Sequence, residues 1–519
     1  MRRTRRTSGH LQAGPRFTSA PRRDQGPLAR RAPRPVPPQH HAEVEATGCL
    51  VEGSTHPHWA ALIHSPVPSL ASARPDRNRN TILYPPLPSI RRHSVNDHIS
   101  YGSRPILLLG AGAPEFREYV LRQIARVRPV VLIDQDPPKW ALPYLAAQAT
   151  MDLRDLRAAE TFLASAAVQL DAVGLTTYME HFVELTARLT HQLGLPGNSP
   201  TAAAACRDKA TTRRLLAEHG VPSARSYLAK DADHGVTIAR RLGYPVVVKP
   251  RGLAGSAGVW RADSDEIVRA AFHHALVDSV LGLEAWSVPG ALVEEYLQGP
   301  EISVETVVLA PGRERIVAVT RKSLGPEPQF QEVGHSVDAA DPLLTDPVIA
   351  DIVTAAVRAL GLSRGVVHVE LRLTTDGPRV IEVNGRLAGD LIPLLVERAT
   401  GINLPKVLAT LAAGGTPDLA QTRSEAAAIG FLYPEHTGCI ERLDVHGTVS
   451  DQLWLERLVW TRDIGTQVIA PPRASIDDRI AHWIVTGSTA VECAKRRDLV
   501  ADHLAVRVSR PAHSTSCTR

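Results

Sequence analysis

The sequence predicts a mixed α/β protein of several lobes, with a parallel-sheet domain towards its N-terminal side. Three observations predict it. Between residues 105 and 193 apolar runs alternate with helical periodicity, as in a parallel sheet whose crossovers are helices. Residues 244–249 (YPVVVK) are a β-branched run that leads straight into a glycine-rich stretch, 250–258 (PRGLAGSAG). Residues 366–373 and 378–384 are strand-like runs around Thr375-Asp376-Gly377, the turn chemistry of a β-hairpin.

The chain of 519 residues has room for three or four domains, and 44% apolar with 22% charged residues is ordinary globular composition. No run of 18 uncharged apolar residues occurs, which excludes a membrane-spanning helix. The five cysteines include no CxxC and no close pair. That argues against a disulfide scaffold or a structural zinc site, and for a reducing, cytoplasmic setting. The net charge of +5 is unevenly spread. Residues 1–100 carry 15 Arg, no Lys and 6 acids, so the remainder is net acidic. The basic character belongs to the tail and gives no reason to expect nucleic acid on the folded body.

Residues 1–103 are expected to be a disordered Arg/Pro-rich extension, because 14 of the 40 prolines fall in the first 100 residues and no periodicity is sustained there. The start, MRRTRRTSG, has twin arginines but no apolar segment behind them, which argues against an export signal. An organelle presequence is the less favoured alternative to a floppy extension. A first α/β domain is expected over 104–196. Within it, 105–109 reads as a strand, Gly110-Ala111-Gly112 as a turn, 114–127 as a helix and 130–133 as a strand ending in Asp134. This is half of a nucleotide-type unit, but the third glycine of a dinucleotide fingerprint is missing, so a sheet domain without cofactor is preferred. A strand at 172–175 and a helix at 180–193 continue the alternation.

The stretch PGNSP at 196–200 marks a boundary to a second domain, 197–415. Its expected elements are a helix at 207–218 stopped by Gly220, strands at 244–249, 291–297, 302–309 and 316–320, a helix at 346–361, and the hairpin. A third α/β piece, 416–507, follows, and 508–519 reads as a frayed end.

The hairpin carries the first chemical signal. A three-residue loop over 375–377 sets Glu370 opposite Glu382 and His368 opposite Asn384. Like charges directly opposed destabilise a sheet, and a cation between them is the remedy. Two carboxylates and a carboxamide oxygen are the hard ligands magnesium takes beside phosphate. Solvated glutamates on an exposed hairpin are the alternative. Arg386, two residues on, is placed to meet an anion. Lys249 ends its strand beside the Gly/Ser loop, where an ammonium and backbone N–H groups converge on phosphate. The order of a Walker A loop is absent, and a snorkelling strand-end lysine is the alternative. Lys209, alone, reads as a solvated helix residue. In 291–305 (ALVEEYLQGPEISVE) the strand could offer backbone groups to an adenine edge and Glu301 could accept from ribose hydroxyls; a strand with surface acids is the alternative.

In this order, DKATTRRLLAEHGVP, YPVVVKP with its glycine loop, LVEEYLQGPEISVE and VHVELR…RVIEVNGR resemble the ATP-grasp superfamily over roughly residues 105–500. The likeness is to the carboxylate–amine ligases that join amino acids into dipeptides, L-amino-acid ligases and carnosine-synthase-like enzymes among them. The stretch from Gln329 to His335 resembles that branch's substrate loop. The resemblance implies an ATP-grasp fold with ATP and magnesium, which manganese can replace. It implies Lys209 and Lys249 on the ATP phosphates, Lys249 also near adenine, and Ser256, Ala257 and Gly258 closing over the β- and γ-phosphates. Glu294, Glu295, Tyr296 and Leu297 would run along adenine, Glu295 and Leu297 through backbone atoms, with Glu301 on ribose. Glu370 and Glu382 would bind magnesium, with Asn384 a further ligand. Arg386 would act with Lys249 in catalysis, stabilising the transferring phosphoryl group. Glu332 and His335 would lie near the amino-acid substrate, as would Arg386.

The implied reaction is amide formation between a small-molecule carboxylate and an amine through an acyl phosphate, releasing ADP and phosphate. No membrane or nucleic-acid partner is implied, and a homodimer is compatible with it. The alternatives are a biotin-carboxylase-like or purine-pathway enzyme acting on bicarbonate or formate, and a non-catalytic nucleotide-binding protein. Cys206 reads as a small buried thiol rather than a nucleophile.

Overall fold

The computed structural model describes residues 91–92, 104–277 and 288–509. The extension expected over 1–103 lies outside the described residues apart from Arg91–Arg92, a two-residue strand, and the chain beyond 509 lies outside them too.

Strands Ile106–Leu109, Val130–Asp134, Ala147–Thr150 and Gly174–Thr176 make a parallel sheet, and Arg91–Arg92 adds to its edge antiparallel. The first strand is apolar on both faces because both faces are covered. Ile106 and Leu108 pack with Tyr119 and Ile124 of the helix Pro114–Ala125. Leu107 and Leu109 pack on the other side with Leu163 of Leu156–Gln169 and Leu189 of Val183–Leu193. The helix expected over 180–193 opens as a 3-10 turn, Glu180–Phe182, before Val183.

The helix expected over 207–218 is two helices, Pro200–Arg207 and Lys209–Glu218. Asp208 breaks them: its backbone is extended and its carboxylate accepts from Ala210 N at 3.1 Å. An Asp in this position caps the second helix, and Lys209 becomes its first residue.

A four-stranded antiparallel sheet follows, in the order Ser226–Ala229, Ala291–Glu295, Val246–Pro250, Trp260–Ala262. The strand expected over 291–297 ends at Glu295, so Tyr296 and Leu297 lie beyond it. The largest sheet has eight strands: Gly377–Asn384, Gly365–Thr374, Glu301–Val308, Glu314–Leu324, Glu332–Asp338, Ala426–Leu432, Ala481–Gly487 and Leu455–Trp460. Strands from either side of residue 415 are neighbours in it, Glu332–Asp338 with Ala426–Leu432. The segment expected as a loop at 329–335 therefore becomes, from Glu332 on, an inner strand of this sheet.

The hairpin differs in detail from the expected one. Its turn has two residues, with Thr374 paired to Gly377. A bulge at Ile381 adds one residue back, so Glu370 still faces Glu382 and His368 still faces Asn384. Among the described residues no helix is long and apolar enough to cross a membrane.

Candidate active site

A cavity of about 480 Å³ opens where the glycine-turn end of the parallel sheet meets the four-stranded and eight-stranded sheets. Every residue expected at the nucleotide, metal and substrate positions lines it except Gly258. Gly258, at φ +67, packs against Pro250, where a Cβ would sit 2.9 Å from Pro250 Cγ. Glycine is needed there for the loop to return onto its strand.

Lys249 Nζ lies 2.8 Å from Glu294 Oε2, with both side chains buried. Glu294 also accepts from Arg213 Nε at 2.7 Å and Nη2 at 3.0 Å. Burial pulls the Lys249 ammonium down to about 8, only partly offset by Glu294. Burial raises the Glu294 carboxyl, but Arg213 and Lys249 outweigh it and hold the group at about 2. Glu295 turns to Arg225, whose backbone N donates at 3.1 Å, and Tyr296 Oη donates to Glu327 Oε1 at 2.5 Å. The backbone N of Glu295 donates to Arg225 O at 2.9 Å. Lys209 Nζ donates to Leu253 O at 2.5 Å and stands 3.3 Å from Glu382 Oε1, tying the glycine loop to the hairpin.

The facing acids each have a protein cation. Glu370 Oε1 accepts from Lys322 Nζ at 2.7 Å and from His368 Nε2 at 3.0 Å, and Glu382 has Lys209. The sequence argument that the pair needs a divalent ion to stay together is corrected: two lysines and a histidine do it. The donor set still fits magnesium. Asn384 Oδ1 is buried with no hydrogen-bond partner. Such an orphan costs about 1–3 kcal/mol, and a cation bound with the two carboxylates would satisfy it. Behind Glu370, His368 Nδ1 lies 2.9 Å from Glu305 Oε1. Burial lowers this imidazole, but Glu305 and Glu370 raise it to about 9.

Glu332 and His335 would point to opposite faces of a regular strand. A bulge at Val333 turns them to one side, 3.9 Å apart. Glu332 Oε1 accepts from Lys322 at 2.7 Å, so a protein ammonium occupies the carboxylate the sequence assigned to a substrate. His335 Nε2 lies 3.1 Å from Asp390 Oδ2. Arg479 donates to Asp390 Oδ1 at 2.8 Å and lies 3.7 Å from the centroid of the Phe431 ring. Glu301, expected on ribose, is bonded to Arg372 Nε at 3.0 Å. Arg386 pairs with Glu180, whose other oxygen accepts from Arg207 Nη1 at 2.7 Å. Burial opposes the charge on Glu180, yet Arg386 and Arg207 hold it well below the usual carboxylate range.

Sequence reasoning missed Lys322, Glu180, Asp390 and Arg479, all on this cavity. Lys322 had a signal: it is one of only seven lysines, and it follows closely on the apolar run at 316–320. Asp390 follows the arginine segment closely; Glu180 and Arg479 carry no local mark.

Comparison with known proteins points the same way. Residues 242–393 match the ATP-grasp domain family. An uncharacterised protein of Sinorhizobium fredii is 31% identical over 327 residues, covering 62% of this chain and 65% of its own length. Carnosine synthase 1 of Gallus gallus is 28% identical over 375 residues, 66% of this chain and 39% of its own length. The chain thus spans less than two thirds of either relative. An L-amino acid ligase of Bacillus licheniformis superposes with a TM-score of 0.66 at 22% identity, over 79% of this chain and 99% of its own, which shows a shared fold. The family match spans Lys249, the glycine loop, both hairpin acids, Asn384 and Arg386, and residues 242–393 of the chain are an ATP-grasp domain.

Proposed function

We propose that the protein is an ATP-dependent ligase joining a carboxylate to an amine, both amino acids, with release of ADP and phosphate. One observation carries the reading: a single cavity is lined by Lys209, Lys249, Glu370, Glu382, Asn384 and Arg386 together. The likeness to carnosine synthase and to an L-amino acid ligase supports amino acids as substrates. A cytoplasmic setting is supported by the described cysteines, Cys206, Cys439 and Cys493, being free.

ATP supplies the phosphoryl group that turns a substrate carboxylate into an acyl phosphate, from whose acyl carbon an attacking amine can displace phosphate. The protein's part is positioning and charge neutralisation. Lys209 and Lys249 would neutralise phosphate oxygens, and the backbone of Ser256, Ala257 and Gly258 would close over them. Glu370, Glu382 and Asn384 Oδ1 would hold magnesium. Backbone groups at 294–297 would receive adenine, and Glu301 would accept from ribose alongside Arg372. Arg386, released from Glu180, would stabilise the transferring group; removing one such contact costs about 10²–10³ in rate. Glu332 and His335 would face the amino acid. The glycine loop would exclude water from the intermediate.

The test is a matrix of amino-acid pairs screened for phosphate release, with mass spectrometry of the products. Phosphate release that depends on an amino-acid pair, with a condensed product, is expected, and Glu382→Ala should abolish it. Release that needs bicarbonate and no amine would refute the reading.

A further inference from the structure

The turn Gly110-Ala111-Gly112, which lacks the third glycine of a dinucleotide loop, has a different use. Asp134, the acid that a dinucleotide site would give to ribose, is spent on the turn itself: its Oδ2 accepts from Ala111 N at 2.8 Å. The buried Tyr178 Oη donates to Ala111 O at 3.0 Å and locks the other side. Gly112, at φ +71, has the stem of Arg117 lying across it, and a Cβ there would stand 2.9 Å from Arg117 Cγ. The bare turn lets Arg117, in the first turns of the helix Pro114–Ala125, reach the cavity wall.

At that wall the Arg117 guanidinium makes no hydrogen bond and no ion pair among the described residues. It lies over the Tyr178 ring, 5.4 Å from its centroid. The neighbouring guanidiniums differ: Arg386 has Glu180, and Arg479 has Asp390. Burial and the nearby Arg386 act against the charge on Arg117, and the carboxylates that favour it, Asp390 and Glu180, are each paired with another arginine. A planar fork of five N–H donors thus borders the cavity beside a second guanidinium, and an anionic oxygen group answers both the donors and the charge; with the ATP phosphates assigned to Lys209 and Lys249, that group is a carboxylate.

We propose that Arg117 is the receptor for a substrate carboxylate other than the one activated, the free carboxylate that the amine-bearing amino acid keeps in the product. This rests on the ligase reading above and narrows it. The amine substrate carries its own carboxylate, and a simple amine or an amino-acid amide is a poor substitute.

The test compares each amine-bearing amino acid found active in the phosphate-release screen with its carboxamide, in wild-type protein, Arg117→Gln, Arg117→Lys and Gly112→Ala. Wild-type protein should favour the free acid, and Arg117→Gln should raise KM for the acid about 10- to 100-fold. Its kcat and its KM for the amide should change little. Gly112→Ala, which displaces the arginine stem, should act in the same direction. Arg117→Lys, with the charge but without the fork, should fall between and serves if the glutamine variant does not fold. An acid-to-amide ratio equal in wild-type protein and both Arg117 variants overturns the assignment while leaving the ligase reading intact. Absence of any amino-acid-dependent phosphate release overturns the ligase reading, and the assignment with it.

Discussion

Glu370 stands directly opposite Glu382 in the hairpin, and different cations hold the two carboxylates: Lys322 lies 2.7 Å from the first and Lys209 3.3 Å from the second. With the repulsion already compensated, magnesium alone gains little by binding. Together with phosphate oxygens it gains a fuller ligand shell and draws in the orphaned Asn384 Oδ1. Magnesium alone should leave the melting temperature nearly unchanged. Magnesium with ATP at a hundredfold excess over Kd should stabilise by about 2.7 kcal/mol. An equal shift from magnesium alone, in a thermal melt, would contradict the division of labour between the lysines and the metal.

Lys322 is the charge on which three acids converge. Its ammonium lies 2.7 Å from Glu332 and from Glu370 and 3.3 Å from Glu301, and its side chain is 2% exposed. Burial lowers this ammonium, but the three carboxylates outweigh it and hold it well above its ordinary range. Lys322→Met leaves those carboxylates facing one another with, among the described residues, only Arg372 on Glu301 and His368 on Glu370 as direct hydrogen-bond partners. The expected cost is about 3–5 kcal/mol by denaturant titration in the presence of a chelator. Millimolar magnesium should restore part of it, because a divalent ion supplies the missing charge. Wild-type stability in the chelated variant would refute the role given to Lys322.

Lys249 gives the activity a pH dependence of known sign. Its ammonium, pulled down to about 8 by burial, is charged below that pH and neutral above it. Nucleotide affinity should therefore fall as pH rises through about 8, and Lys249→Arg, charged throughout, should flatten the profile. Stability moves the other way. The folded value lies below the ordinary 10.5, so the ammonium opposes folding at neutral pH, and that penalty fades between about 8 and 10.5. Its partner Glu294, held at about 2 against an ordinary 4.5, contributes stability above 4.5 that is lost as pH falls towards 2. ATP titrations from pH 6.5 to 9.5 check the first claim; a flat wild-type profile would sink it.

What the sequence made legible follows from range. Glu370, Glu382, Asn384 and Arg386 sit on one hairpin and just past its end, where spacing along the chain fixes which residues meet, and Lys249 sits at a strand end beside its own glycine loop. The doubly buried strand Ile106–Leu109 was legible because both faces are apolar. The hairpin register was reached through a turn one residue too long, and the bulge at Ile381 cancelled the error. Glu332–Asp338 was hidden because its bulge at Val333 breaks the alternation that marks a strand. Other partners on the cavity lie far apart: Glu180 is 206 residues from Arg386, and Asp390 is 89 from Arg479. Only tertiary packing joins them, and no local pattern encodes it.

Ile476 rests on the glycine loop from the C-terminal side. A Cβ on Gly255 would stand 3.0 Å from Ile476 Cδ1, and Leu253, Ala254, Ala257 and Ile476 form one apolar cluster. The short turn Ile476–Asp478 is fixed by a capping box between Ser475 and Asp478, so the surface under the loop is stiff. The loop that would cover the phosphates is thus docked on a segment that also lines the cavity. Ile476→Ala should loosen that docking and admit water to the acyl phosphate. Gly255→Val, strained at φ +65 and crowding the isoleucine, should do so more severely. The measurement is the ratio of phosphate released to amide formed, about one for a tightly closed site and higher in both variants. A ratio unchanged in both would mean that closure of the loop does not depend on Ile476.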